Sequence, residues 1–124
     1  MNVSGPAVKK AYAKWKVENG IADGEGRLVI VHDELERELG SVSVRTDHKA
    51  SARGHNGLKS VMASMPHEKF IRIGVGIGRP ASRERDAVSN YVLRKTKPNE
   101  VAALEGAARE VSRVIAEIYE GEIR

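Results

Sequence analysis

The sequence contains no cysteine, which excludes disulfide frameworks, cysteine-bound zinc and thiol catalysis in a single stroke. Its four histidines, His32, His48, His55 and His67, show no paired spacing on one face with a carboxylate, so no metal is assigned. No apolar run approaches the roughly 20 residues needed to cross a bilayer, and the opening MNVSGPAVKK lacks the apolar centre of a secretory signal. Internal repeats and low-complexity tracts are also missing. What remains is a chain of 124 residues, 40% apolar, with 21 Lys and Arg against 17 Asp and Glu for a net charge of +4. That length suits one domain, residues 1–124, able to bury a core without covalent staples. It is expected to be soluble and intracellular, and its basic balance is compatible with a polyanionic partner.

Helical spacing of Val8, Tyr12 and Trp15 after Ser4 and Pro6 predicts a helix over residues 6–17, with Ser4 as its cap and Lys9, Lys10, Lys14 and Lys16 pointing away from the apolar stripe. The unbroken run Leu28-Val29-Ile30-Val31 predicts a strand covered on both faces, and the alternation of residues 41–45 predicts a second strand with one polar face. Leu58, Val61, Met62 and Met65 mark a helix stopped by Pro66, and residues 70–77 a third strand. Val88, Tyr91, Val92 and Leu93 suggest a helical turn. Beyond Pro98 the positions Val101, Leu104, Ala108, Val111, Ile115 and Ile118 mark the longest helix, with Glu and Arg on its outer face. The order α-β-β-α-β-α-α predicts an α/β domain of three layers, a mixed twisted sheet with helices on both faces.

Two places carry chemistry. Asp33, expected just past the carboxyl end of the first strand, sits where α/β sheets open their ligand crevices; a solvated or capping acid is the competing reading. Its neighbour His32 reads as a packed or surface residue. In Gly54-His55-Asn56-Gly57, two glycines bracket a His-Asn pair at the mouth of a helix, where backbone N–H groups can meet a carbonyl or phosphate oxygen; a plain Asn cap is the alternative. Basic residues crowd the same neighbourhood: Arg45, Lys49, Arg53 and Lys59, with Arg72 and Arg79 on the nearby strand. The glycines of Gly74-Val75-Gly76-Ile77-Gly78 lie within a strand rather than opening a helix, so close backbone packing explains them better than nucleotide binding.

The stretches VIVHDELERELG, GHNGLKSV, FIRIGVGIGRP and VSNYVL, in this order, together with the opening MNVSG, resemble the bacterial-type peptidyl-tRNA hydrolase family. The resemblance runs from Met1 to Leu93. It implies a monomeric α/β enzyme that hydrolyses the ester between a peptide, or an N-blocked amino acid, and tRNA, recycling the tRNA in the cytoplasm, or in mitochondria, with no metal, organic cofactor or membrane. By the same resemblance Asp33 would support the imidazole of a catalytic histidine. Asn2 and Asn56 would hold the substrate's 3′ end and peptide backbone, Gly54 and His55 would shape the turn that admits it, and Arg45 would face a tRNA phosphate.

Several positions depart from the family pattern. The family's catalytic histidine, with an asparagine that helps select blocked ends, precedes the Met-Asn-x-Ser-Gly motif at which this sequence starts, so none of the four histidines is expected to be the base. A second basic position of relatives, on the strand at 70–77, is Gly74 here, with Arg72 as the candidate replacement. Residues 47–51 are bulkier than the glycines of many relatives, which is expected to alter entry to the cleft. Loss of the preceding strands would bare a sheet edge near residues 28–31 and favour self-association. The alternative function is an inactive tRNA-binding or splicing-accessory relative.

Overall fold

The computed structural model describes residues 3–22, 25–46, 52, 55–78 and 85–121. Their elements follow the expected order: α1 (Ser4–Glu18), β1 (Leu28–Glu34), β2 (Val42–Arg45), α2 (Asn56–Ser64), β3 (Phe70–Gly76), α3 (Arg85–Leu93) and α4 (Pro98–Tyr119). The strands form one sheet in the order β1-β3-β2. Ile77 N–H donates to Glu34 O at the carboxyl ends of β1 and β3, so these run parallel. Ser41 O and Gly40 N–H instead pair the start of β2 with Gly76 at the end of β3, so that pair is antiparallel. The sheet is mixed, and the fold class is α/β as the element order implied.

The chain divides into two compact bodies. The first comprises Met1–Ile30 and Arg45–Arg72. Its core is Tyr12, Val61, Met65 and Phe70, against which Val8, Leu28, Ile30 and Met62 pack. The α1 and α2 helices approach so closely that a Cβ built on Gly5 would lie 2.1 Å from Ser60 O, and Gly5 N–H donates to Ser60 Oγ at 2.9 Å. Only glycine permits that contact. The glycine of the Met-Asn-x-Ser-Gly motif therefore has a packing role. Val3, not Ser4, occupies the cap position of α1, and no side chain caps it. Pro6 falls in the first turn, where its missing N–H has no helical partner to lose.

The second body comprises Val31–Val44 and Ile73–Arg124. Ile73 in β3 is fully buried, as are Ala107, Val114 and Ile118 of α4. Gly40, at φ +83°, brings its turn to 3.1 Å from Ala103 O by the measure of an added Cβ. The buried residues of α4 are Glu100, Ala107, Val114 and Ile118; of the expected stripe Ile118 is buried and Leu104 and Val111 are half-buried, while Val101, Ala108 and Ile115 are exposed. The inward face is thus displaced by part of a turn, well under the roughly 100° of one residue, toward Glu100, Ala107 and Val114. An inward acid lies at the start of this face: Arg94 grips Glu100 through two hydrogen bonds of 2.7 and 2.5 Å, and Glu100 also accepts from Lys97 N–H at 2.9 Å. These partners push the Glu100 carboxyl down to about 2, the Arg94 bond being the largest cause and the Lys97 N–H the next. The α3 cluster is held less by its apolar residues than by Tyr91, whose hydroxyl donates to Ile77 O at 2.5 Å, while Leu93 stays exposed.

Two further expectations need correction. The strand covered on both faces is the central β3, not β1, because β1 lies at a sheet edge and Val31 is 51% exposed. β1 also runs three residues past the apolar run, to Glu34. The Ile77 N–H bond to Glu34 O carries the pairing on past the polar residues, so ladder partners rather than side-chain polarity set the strand's end.

Candidate functional site

Asp33 consequently lies inside β1, next to last in the strand, and not beyond it. It is half-buried in the second body. His32 beside it is half-buried and bound locally: its Nδ1–H donates to the Asp33 carbonyl at 3.0 Å. Glu34, passed over in the sequence, has the more elaborate setting. Its side chain is 12% exposed, accepts from Ser43 Oγ at 3.0 Å, and meets Arg37 Nε at 3.3 Å. It also covers Gly74: a Cβ there would stand 2.5 Å from Glu34 Cδ and 2.7 and 2.8 Å from the two carboxylate oxygens. The sequence signal was present in principle, since Arg37 follows Glu34 at the i+3 spacing of an ion pair, but nothing local pointed to Gly74.

In the first body, His55 and Asn56 meet at the mouth of α2. His55 is the cap: its Nδ1 accepts from Leu58 N–H at 3.1 Å. That lone pair exists only on a neutral ring whose proton is on Nε2, so capping fixes the tautomer. Asn56 is the first helical residue, exposed, and not the cap that one sequence reading allowed. The histidine could take over capping because its ring spans the same three-residue reach as an Asn side chain. Arg45, the last residue of β2, belongs to this body and is half-buried. Arg72 cannot stand in for a surface cation at position 74: it lies in the strand covered on both faces and is only 2% exposed. Asn2, Gly54, His48, Lys49, Arg53 and Arg79 lie outside the described residues, as does the loop at 47–51. Among the described residues no group of three or more His, Asp or Glu side chains could hold a metal ion, and no helix is long and apolar enough to cross a membrane.

Parallel and antiparallel strands in one small sheet, with helices between and after them, define an α/β protein. A family model described as peptidyl-tRNA hydrolase matches residues 1–124, and the chain belongs to that family. It is similar to a probable peptidyl-tRNA hydrolase of Schizosaccharomyces pombe, 51% identical over 77 residues, which cover 62% of this chain and 37% of that protein. It is similar also to the peptidyl-tRNA hydrolase of Shouchella clausii, 38% identical over 115 residues, covering 93% of this chain and 57% of the relative. The crystal structure of peptidyl-tRNA hydrolase from Acinetobacter baumannii superposes with a TM-score of 0.74 at 31% identity, over 98% of this chain and 57% of that one. The chain thus spans little more than half the length of these relatives, and less for the first.

Proposed function

We propose that this chain acts on peptidyl-tRNA, or on tRNA esterified to an N-blocked amino acid, by hydrolysing the ester and freeing the tRNA. The observation that supports this most is the family match along all 124 residues; by the motif resemblance the family's acid and its Gly-His-Asn-Gly turn correspond to Asp33 and to residues 54–57. In this reading Asp33 accepts a hydrogen bond from an imidazole and stabilises the imidazolium formed as water attacks the ester carbonyl. Asn56 and Asn2 donate amide hydrogen bonds to the substrate's 3′ end and peptide. Gly54 and His55 shape the α2 mouth, and Arg45 faces a phosphate. None of His32, His48, His55 and His67 is the base. His32 and His55 have the local hydrogen bonds described above.

The site of action in this reading is the cytoplasm, or mitochondria. Self-association belongs to the same proposal: among the described residues β1 and β2 are the outer strands of the sheet, and Val31 and Val44 on them are exposed. Sedimentation over a concentration series would show it, and a monomer at all concentrations would remove it. The catalytic reading is tested with an N-acetylated aminoacyl-tRNA and imidazole added as the proton acceptor, using Asn56→Ala and Asp33→Asn. Hydrolysis lost in both supports it. Tight tRNA binding with no turnover in the unmutated protein under any condition would favour an RNA-binding role instead.

A further inference from the structure

Formal charge is divided unevenly along the fold. The first body holds eleven Lys and Arg against five Asp and Glu, a net +6, and the second holds ten against twelve, a net −2. The 15 residues of α1 alone carry four lysines and one glutamate, whereas α4 carries two arginines and four glutamates. At about 100° per residue, Lys9, Lys10, Lys14 and Lys16 share an arc of roughly 160° on α1, free of acids and clear of the Val8 and Tyr12 positions that enter the core. Lys9, Lys10 and Lys14 are exposed. The single acid, Glu18, lies just outside the arc, 3.7 Å from Lys14 Nζ in a solvated pair that neutralises little. Lys16 lies over the Tyr12 ring at 4.8 Å.

We propose that the lysine face of α1 is an RNA-backbone contact surface, engaging phosphates through Lys9, Lys10 and Lys14. The array is preorganised, because α1 is locked by the Gly5–Ser60 contact and by Tyr12 in the core. A lipid surface is the poorer match. A helix that lies in a membrane inserts an apolar face, and the Val8 and Tyr12 face of α1 is already packed against the protein. The inference rests on the proposed function only in taking RNA as the polyanion, and it does not require Asp33 to act in catalysis.

The test is fluorescence anisotropy of the full chain with a labelled RNA hairpin carrying a short single-stranded 3′ end, titrated at several salt concentrations. Replacing Lys9, Lys10 and Lys14 together by Gln is expected to weaken binding at least about 10-fold near 0.1 M salt and to flatten the plot of log affinity against log salt by about 2 to 3. The corresponding Arg triple should restore both. Arg109→Gln, an exposed position of α4, should leave both unchanged. If the Gln triple no longer melts cooperatively, Lys10→Glu alone is read in its place, with weaker binding and a flatter plot expected. Wild-type affinity and slope in the variant that is read would overturn the proposal. So would α1-dependent capture by phosphatidylserine vesicles with RNA binding untouched. RNA binding that depends on α1 without any ester hydrolysis would leave this surface standing and remove the catalytic reading.

Discussion

The Glu34 carboxylate lies against the Cα of Gly74, in the space that any Cβ at position 74 would need. A residue that looked in the sequence like a missing cation is, in the fold, a seat for an anion. The positive charge near it comes from Arg37, and the hydrogen bond from Ser43.

Gly74→Ala should therefore expel Glu34 from its seat. The expected cost is about 1–3 kcal/mol by denaturant unfolding, from overpacking and the loss of the Ser43 bond. Gly74→Arg should cost at least as much. Equal stability of wild type and Gly74→Ala would show that Glu34 moves aside freely.

Gly5→Ala should be similarly costly, because the new methyl meets the Ser60 backbone carbonyl and backbone cannot rotate away. Gly106→Ala supplies the contrast. It lies inside α4 with nothing nearer its added Cβ than Arg109 Nη2 at 4.0 Å, so the gain in helix propensity should stabilise the protein by about 0.5–1 kcal/mol. Thermal melts of the pair should shift in opposite directions.

Acid unfolding should carry the signature of Glu100. Its carboxyl is held near 2 in the fold against an ordinary value of 4.5. A lowered folded value contributes stability that is fully present above about pH 4.5 and is lost as pH falls toward 2. Glu100→Gln should flatten stability against pH in that window. Some slope should survive, because Arg113 lowers Glu110 in the same direction. An unchanged slope would mean that the Arg94 grip is absent in solution.

His55→Ala should weaken α2 by about 1 kcal/mol through loss of its cap, while His55→Asn or Ser should recover most of it. Stability read by urea unfolding, alongside RNA affinity, separates capping from substrate contact: a capping residue loses stability with Ala and regains it with Asn.

Element order and type were legible because periodicity is local. Leu58, Val61 and Met65 entered the core as their spacing required, and Gly76 of β3 sits against the Glu38 backbone, whereas Gly74 meets a side chain. What was illegible depended on partners far along the chain. Asp33 belongs to a strand because Ile77 extends the ladder, and Glu100 of α4 is buried beside its partner Arg94. A hydropathy pattern treats glutamate as an outward residue and cannot show the guanidinium that pairs with it. Position 74 failed for the same reason, since its meaning lies in Glu34, forty positions earlier. Asp33, His55, Asn56 and Arg45 could be named from motifs, but only coordinates showed that His55 is engaged as a cap.

The most direct measurement is the rate of N-acetyl-aminoacyl-tRNA hydrolysis by this chain with imidazole added as the proton acceptor, compared between wild type and Asp33→Asn. The expected result is imidazole-dependent cleavage well above that of imidazole alone, falling by about 10²-fold or more in the variant while RNA affinity holds. Cleavage no faster than imidazole alone, or a rate indifferent to Asp33→Asn, would contradict the role assigned to that carboxylate.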